Sequence, residues 1–311
     1  MSGVLILAGP TGIGKTDLAL ALAAEIPAEI VAVDSMQVYR GMDMGTGKPS
    51  EEIRRRVPHH GIDLAEPETE FDVQRYVDLV SPAIAEILRR GRWAILTAGC
   101  GLYLRVLLRG ICEAPGKDPE VRGRLLEQAA SEGSEALHGR LAVVDRQAAA
   151  RIHPNDLRRV VRALEVFEVT GRPMTRWWSE QQPDSRAWSD CRIIGLTCDR
   201  GRLYERIEAR IDSWLDSDWL DEARVLSARR LSLTAREALG YRELYGHLEG
   251  RADWASTRLL IHQNTRRYAK RQLSWFRHEP GVHWMNVQDR DPLSVAQEIL
   301  VWKKPFSSPS D

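Results

Sequence analysis

Eight consecutive residues near the start of the chain could hold a polyphosphate. Gly9-Pro10-Thr11-Gly12-Ile13-Gly14-Lys15-Thr16 fits the pattern G-x-x-x-x-G-K-S/T throughout. Its glycines let backbone N–H groups turn inward around phosphate oxygens, and a helix that follows adds partial positive charge at its N-terminus. Lys15 is placed to neutralise an outer phosphate, and the Thr16 hydroxyl is placed to ligate Mg²⁺. The same residues could form a glycine-rich turn without a ligand, but an apolar run before them and a helical pattern after them complete the phosphate-binding context. The loop does not fix the reaction. A kinase or NTPase usually adds an acid at the end of a hydrophobic strand to hold its metal, yet Trp93-Ala94-Ile95-Leu96-Thr97-Ala98-Gly99 ends in small residues. Ile30-Val31-Ala32-Val33 does end in an acid, Asp34.

The elements that must position these residues alternate between strand and helix. Strands are expected at Val4 to Ala8, Glu29 to Val33 and Trp93 to Thr97, with helices over Thr16 to Ile26 and Phe71 to Arg90. Strands separated by helices imply crossover connections and a parallel sheet. The character changes after the turn-rich Glu113-Ala114-Pro115-Gly116-Lys117-Asp118-Pro119. From Val121 to Val169 the signals are helical, with a start at Pro154-Asn155-Asp156 and a stop at Gly171 and Pro173. A polar, turn-prone stretch from Ser179 to Asp190 precedes one more strand, Arg192 to Thr197, and helices then run to about His278. The expected fold is α/β, a phosphate-loop-type parallel sheet flanked by helices. It is assigned to residues 1–114 and 190–311, with an all-helical insertion over 115–189.

Composition bounds the function. Of the 311 residues 43% are apolar and 28% charged, which suits a globular protein with a sizeable core. Forty-four basic side chains against forty-four acidic ones leave no net charge, which argues against a globally basic nucleic-acid binder but not against local basic faces. Cys100, Cys112, Cys191 and Cys198 show neither a CxxC pair nor zinc-ligand spacing, and are expected as thiols. The apolar N-terminus lacks a basic leader, and no run approaches the ~20 apolar residues of a membrane span. A cytoplasmic protein with no membrane partner is expected.

A second group of segments is more specific than the loop. Val33-Asp34-Ser35-Met36-Gln37-Val38-Tyr39-Arg40-Gly41-Met42-Asp43-Met44-Gly45-Thr46-Gly47-Lys48-Pro49 resembles the tRNA dimethylallyltransferases, also called tRNA isopentenyltransferases. So do Pro58-His59-His60-Gly61-Ile62-Asp63, Gly101-Leu102-Tyr103, His153-Pro154-Asn155-Asp156 and Arg162-Ala163-Leu164-Glu165-Val166. Ala238-Leu239-Gly240-Tyr241-Arg242-Glu243 and Ala269-Lys270-Arg271-Gln272-Leu273-Ser274-Trp275-Phe276-Arg277 complete the series. The resemblance implies a phosphate-loop α/β core with a helical insertion. It also implies transfer of a dimethylallyl group from dimethylallyl diphosphate to N6 of the adenosine 3′ of the anticodon. The loop would then hold the donor's diphosphate with Mg²⁺, and ATP would not be consumed, which accounts for the missing metal-binding acid.

Site residues follow from that resemblance. An exocyclic adenine amine is a poor nucleophile, so a carboxylate within hydrogen-bond reach should take its proton as the new C–N bond forms. Asp34 matches the family's base, the alternative being a structural acid at a strand end. Ser35, Met36 and Gln37 would line the pocket for the target base, Gln37 offering a donor and an acceptor. Arg210 matches a family arginine at the leaving diphosphate, the alternative being a solvated helix arginine paired with a glutamate. Cys100 stands where the family usually has threonine, replacing a hydroxyl by a weaker thiol donor. Asp218 stands where the family often has glycine.

For the RNA, Arg258, Arg266, Arg267, Lys270, Arg271 and Arg277 face one local acid, Glu279, between Ser256 and Pro280. Leu259, Ile261, Thr265, Tyr268, Ala269, Leu273 and Phe276 recur at helical spacing, giving a helix with an apolar stripe and a basic face. Such a face is either merely solvated or in contact with phosphates. Arg158, Arg159 and Arg162 form a second basic cluster; Arg122 and Arg242 join the expected tRNA contacts. Trp177 and Trp178 could stack on bases or pack. The anticodon stem-loop is the expected partner, reached through a channel with RNA entering from the insertion side, and the protein is expected to be a monomer. A nucleotide kinase, an adenylate prenyltransferase and a nucleotide-gated RNA-binding protein are the competing readings.

Overall fold

Six short apolar segments assemble one parallel sheet in the order β3-β2-β4-β1-β5-β6. They are β1 (Val4–Ala8), β2 (Ala28–Val33), β3 (His59–His60), β4 (Trp93–Ala98), β5 (Arg192–Thr197) and β6 (Val282–Asn286). The computed structural model describes residues 2–110, 114, 116, 118–180 and 191–301. Every residue of β1 and β2 is buried, as expected for strands covered by helices on both faces. The register decides where the site lies. Ala8 pairs with Ala98, and Ala98 with Val33, so β1, β4 and β2 end at one level. Gly9, Gly99 and Asp34 therefore leave the sheet side by side at its carboxyl edge, where ligands bind in open α/β sheets.

Two strands escape the sequence reading. β3 is a two-residue edge strand, and in β6 Met285 alone is buried, so neither carries the apolar run that signals a strand. Backbone pairing with β5, from Ile193 opposite Val282 to Thr197 opposite Asn286, makes β6 a strand.

The flanking helices follow from periodicity and caps. Val73–Arg89 buries Tyr76, Val77, Val80, Ile84 and Ile87 on one face, and the Asp72 side chain accepts the Arg75 N–H at its start. The long helix Trp254–Arg277 buries Thr257, Ile261, Thr265, Ala269, Gln272 and Phe276, spaced by three or four residues. Leu259, expected on that stripe, is 56% exposed, and the stripe includes a glutamine instead.

The chain divides into two compact units, Met1–Leu108 with Trp188–Asp311, and Arg109–Ala187. The second unit contains helices Pro119–Glu132, Ser134–Val144, Arg146–Arg151, Leu157–Thr170 and Met174–Glu180. Leu125, Leu137, Leu141, Val160, Val161 and Leu164 lead its own core. Asp118, Asp145 and Asp156 each accept an N-terminal helix amide, and Gly171, in the left-handed conformation at φ 68°, ends Leu157–Thr170. The sequence reading of 181–190 lies outside the described residues. No helix among the described residues is long and apolar enough to cross a membrane.

Candidate active site

The phosphate loop forms because the chain must turn sharply from β1 into the helix Lys15–Glu25. Gly12 has φ 79°, and a Cβ there would lie 2.8 Å from Ile207 Cγ1, so both backbone conformation and space demand glycine. Gly14 caps the helix in the left-handed region without a side-chain hydrogen bond, leaving the first-turn amides open to an anion. Lys15 folds back over the loop, donating to Gly9 O at 2.8 Å and Pro10 O at 2.9 Å. Burial holds its ammonium down to about 8; the Asp34 charge opposes this and Arg210 adds to it.

Asp34 follows directly on β2. Its Oδ1 accepts the Met36 N–H at 2.8 Å and the Gln37 N–H at 3.4 Å. Burial nevertheless pushes the carboxyl above the ordinary range, against the pull of those amides and of Lys15. Gly99 is the floor beneath it, since a Cβ on Gly99 would come within 2.9 Å of Asp34 Oδ2.

Arg210 is not a solvated helix arginine. On the helix Arg200–Leu215 it reaches the loop, donating from Nη2 to Thr11 Oγ1 at 2.6 Å, with its guanidinium 4.6 Å from the centre of the Trp214 ring. Burial, reinforced by Arg206, lowers its pKa to about 10. Arg206 lies one turn earlier, with Nη2 3.3 Å from where a Gly14 Cβ would be. It has no ion-pair partner among the described residues and was not singled out by the sequence reading. Its signal was the i, i+4 spacing from Arg210.

All of these groups open onto one cavity of about 1270 Å³, lined by the loop, Asp34 to Gln37, Arg206, Arg210, Arg242, Arg267 and Arg271. Ser35 and Met36 line it. Gln37 has one hand occupied: its Nε2 donates to Thr46 O at 3.0 Å and Gly47 O at 3.4 Å, which leaves the side-chain oxygen as its free group. Cys100 is turned elsewhere. Its thiol meets the Ser35 side chain and the Leu102 and Tyr103 amides at the start of the helix Gly101–Arg109, and burial raises its pKa. Thr16 lines the cavity. No group of three or more His, Cys, Asp or Glu side chains able to hold a metal exists among the described residues.

The long helix is less uniformly basic in space than in sequence. Arg258 Nε donates to Asp212 Oδ1 at 3.0 Å, its Nη1 pairs with Asp216, and Arg266 pairs with Glu208. Glu208 and Asp212 lie on the helix Arg200–Leu215, remote in sequence, and Asp216 is the residue that caps its C-terminus. Lys270 and Arg271 have no acid partner among the described residues; Arg271 lines the cavity and Lys270 is exposed. Arg242 pairs with Glu243 and Glu237 while lining the cavity.

In the helical unit, Arg122 and Arg162 converge on Glu165, whose side chain is fully buried, at 2.7 and 2.9 Å. Arg159 pairs with Asp156 at 3.4 Å, and Arg158 is exposed without an acid partner among the described residues. Trp178 packs against the unit's core, and the Arg172 guanidinium lies 4.7 Å from the Trp177 ring centre. Asp218 caps the helix Trp219–Ser227 without a side-chain hydrogen bond.

A family model described as IPP transferase matches residues 37–279, and one described as isopentenyl transferase matches residues 2–57. The tRNA dimethylallyltransferase of Geobacter metallireducens is 47% identical over 284 residues, covering 91% of this chain and 92% of its own length. The chain belongs to the tRNA dimethylallyltransferase family. The family's enzyme from Symbiobacterium thermophilum is 44% identical, with 96% and 93% of the two chains covered. The crystal structure of the full-length tRNA isopentenylpyrophosphate transferase of Bacillus halodurans matches with a TM-score of 0.71 at 38% identity, covering 96% and 95%. A eukaryotic dimethylallyltransferase solved acting on tRNA shares the fold at a TM-score of 0.78 and 23% identity, covering all of this chain and 82% of its own. The six-stranded parallel sheet flanked by helices is thus the architecture of the tRNA dimethylallyltransferase family.

Proposed function

We propose that this chain carries out the reaction of its family: it transfers a dimethylallyl group from dimethylallyl diphosphate to N6 of the adenosine 3′ of the anticodon in tRNA. The observation that carries this reading is a single cavity with a cationic cradle at one wall, Lys15 and Arg210, and a buried carboxylate, Asp34, beside it. Asp34 is raised by burial but anchored by two amides, which suits a base that must accept a proton from a weakly acidic amine.

In the reaction the amine nitrogen forms a bond to C1 of the dimethylallyl group while the C1–O bond to diphosphate breaks. The N6 proton passes to Asp34, and the bonding electron pair leaves with the diphosphate oxygen. Negative charge grows on that oxygen, and the first-turn amides, Lys15, Arg206 and Arg210 are aimed to meet it. Thr16 together with the diphosphate oxygens would hold Mg²⁺, which when bound supplies further neutralisation of the leaving group. Ser35, Met36 and the free oxygen of Gln37 form the wall against which an extracted base is read. Arg267, Lys270 and Arg271 offer phosphate contacts on one unit and Arg158 and Arg159 on the other.

The test is incubation with Mg²⁺, labelled dimethylallyl diphosphate and unmodified tRNA carrying an adenosine 3′ of the anticodon. Label on that adenosine, and none on AMP or ADP, is the expected result. Binding of tRNA without any transfer of label would overturn the reading in favour of a non-catalytic RNA-binding protein.

A further inference from the structure

We propose that Gln272 is a positioning residue that holds the phosphate loop and Asp34 in one fixed relation, and that it ties both to the RNA-facing helix. This rests on the prenyl-transfer reading above. Gln272 is 6% exposed, on the buried stripe of Trp254–Arg277, where the packing pattern alone would place an apolar residue. Both ends of its amide are bonded to main chain far away in sequence. Its Oε1 accepts the Thr11 N–H at 2.8 Å, and its Nε2 donates to Gly99 O at 2.8 Å.

Each bond acts on one half of the reaction. The Thr11 N–H and the Pro10 carbonyl belong to a single planar peptide unit. Gln272 holds that unit at its N–H, and Lys15 Nζ is bound to its oxygen at 2.9 Å. The orientation of the peptide set by Gln272 therefore sets where the Lys15 ammonium rests. Thr11 is gripped a second time, since its hydroxyl accepts from Arg210. The other bond fixes Gly99, the residue closest beneath Asp34 Oδ2, whose N–H also donates to Val33 O at 3.1 Å, just before Asp34. One buried amide thus spans the cation that receives the leaving group and the carboxylate that takes the proton.

The helix that carries Gln272 carries the RNA-facing cations. Arg267 and Arg271 line the cavity, and Lys270 is exposed. A rigid helix bonded at one position to both catalytic walls passes any shift of its outer face to the loop and to Asp34 together.

Two variants test this. Gln272→Met keeps the length and loses both hydrogen bonds, and Gln272→Glu keeps an acceptor for Thr11 but loses the donor to Gly99 and adds charge near Asp34. Four quantities are measured: calorimetric affinity for inorganic diphosphate with Mg²⁺, affinity for an anticodon stem-loop, single-turnover transfer, and Tm. Gln272→Met is expected to weaken diphosphate binding and slow single turnover by about tenfold each, the loss of a buried hydrogen-bonding pair, with stem-loop affinity changed less than about twofold. Gln272→Glu is expected to move the acid limb of the kcat/KM pH profile upward by about one unit, because a second carboxylate disfavours ionisation of Asp34. The proposal is overturned if folded Gln272→Met binds diphosphate and turns over at the parental rate. It is equally overturned if the diphosphate and stem-loop affinities fall together with Tm, the mark of a core residue alone. Should Gln272→Met not fold, an unmoved acid limb in Gln272→Glu overturns it. Failure of the parental protein to transfer any label would sink the prenyl-transfer reading, while the calorimetric comparison would still decide the hold of Gln272 on the loop.

Discussion

Burial holds the Lys15 ammonium down to about 8 and pushes the Asp34 carboxyl up, so the two groups approach each other in titration from opposite sides. Transfer needs Asp34 ionised and Lys15 protonated. The rate therefore rises as pH passes the raised pKa of Asp34 and falls as pH passes about 8, giving a bell-shaped kcat/KM profile. Bound diphosphate favours the ammonium, so the basic limb of kcat should lie at higher pH than that of kcat/KM. A kcat limb at the same or lower pH would mean that Lys15 does not face the diphosphate. Asp34→Asn keeps the side-chain oxygen that accepts from Met36 and removes the base; single-turnover transfer should drop by about 10²–10⁴-fold with inorganic diphosphate affinity little changed. Cys100 stands before the helix Gly101–Arg109, its thiol against two first-turn amides, so Cys100→Thr supplies the better capping hydroxyl. A gain of about 0.5–1 kcal/mol in urea unfolding is expected, with a faster single turnover because Ser35 is held more firmly. A slower turnover would show that the thiol suits this site better than a hydroxyl.

At the scale of elements, the loop depends on backbone conformations that no other residue supplies cheaply. Gly12→Ala meets both φ 79° and Ile207, so it should cost about 1–2 kcal/mol of stability and lose diphosphate binding more than RNA binding. Thermal unfolding and calorimetry on one preparation separate the two effects. In the helical unit, Glu165 is the counter-charge for Arg122 and Arg162, both about a quarter exposed. Glu165→Ala removes the buried carboxylate that both arginines share and should destabilise the unit by about 3 kcal/mol, the lower end for breaking a buried pair because both arginines keep some water. Hydrogen exchange along Leu157–Thr170 measures this without assuming that the two units unfold together. The helix Trp254–Arg277 was legible as an element because its buried positions keep helical spacing; which of its cations are free was not, because the acids that claim Arg258 and Arg266 sit on another helix.

For the whole molecule, zero net charge means that RNA must be held by local faces, and the ion-pair pattern says which ones. Arg267→Ala, Lys270→Ala or Arg271→Ala should each lower the slope of log affinity against log salt by about 0.7–0.9, as for one lost phosphate contact. Arg258→Ala should leave the slope unchanged, since Asp212 and Asp216 already neutralise that guanidinium. Filter binding of an anticodon stem-loop across a salt series distinguishes them; equal slopes for all four variants would mean that the helix does not face RNA.

What the sequence determined by itself was local: the phosphate loop, the strands and helices with strong apolar period, and the acid ending β2. Those signals lie within a few residues of one another, where backbone geometry and solvent exposure leave a direct trace. Only the tertiary structure decided that Arg210 bonds the Thr11 hydroxyl and is no solvated helix arginine, that Arg206 joins it, that Gln37 has a single free group, and that Gln272 spans both walls of the site. Each of those facts depends on partners brought together by sheet register and helix packing. Gln272 lies 261 residues from Thr11 and 173 from Gly99, and no local pattern records a hydrogen bond at that separation.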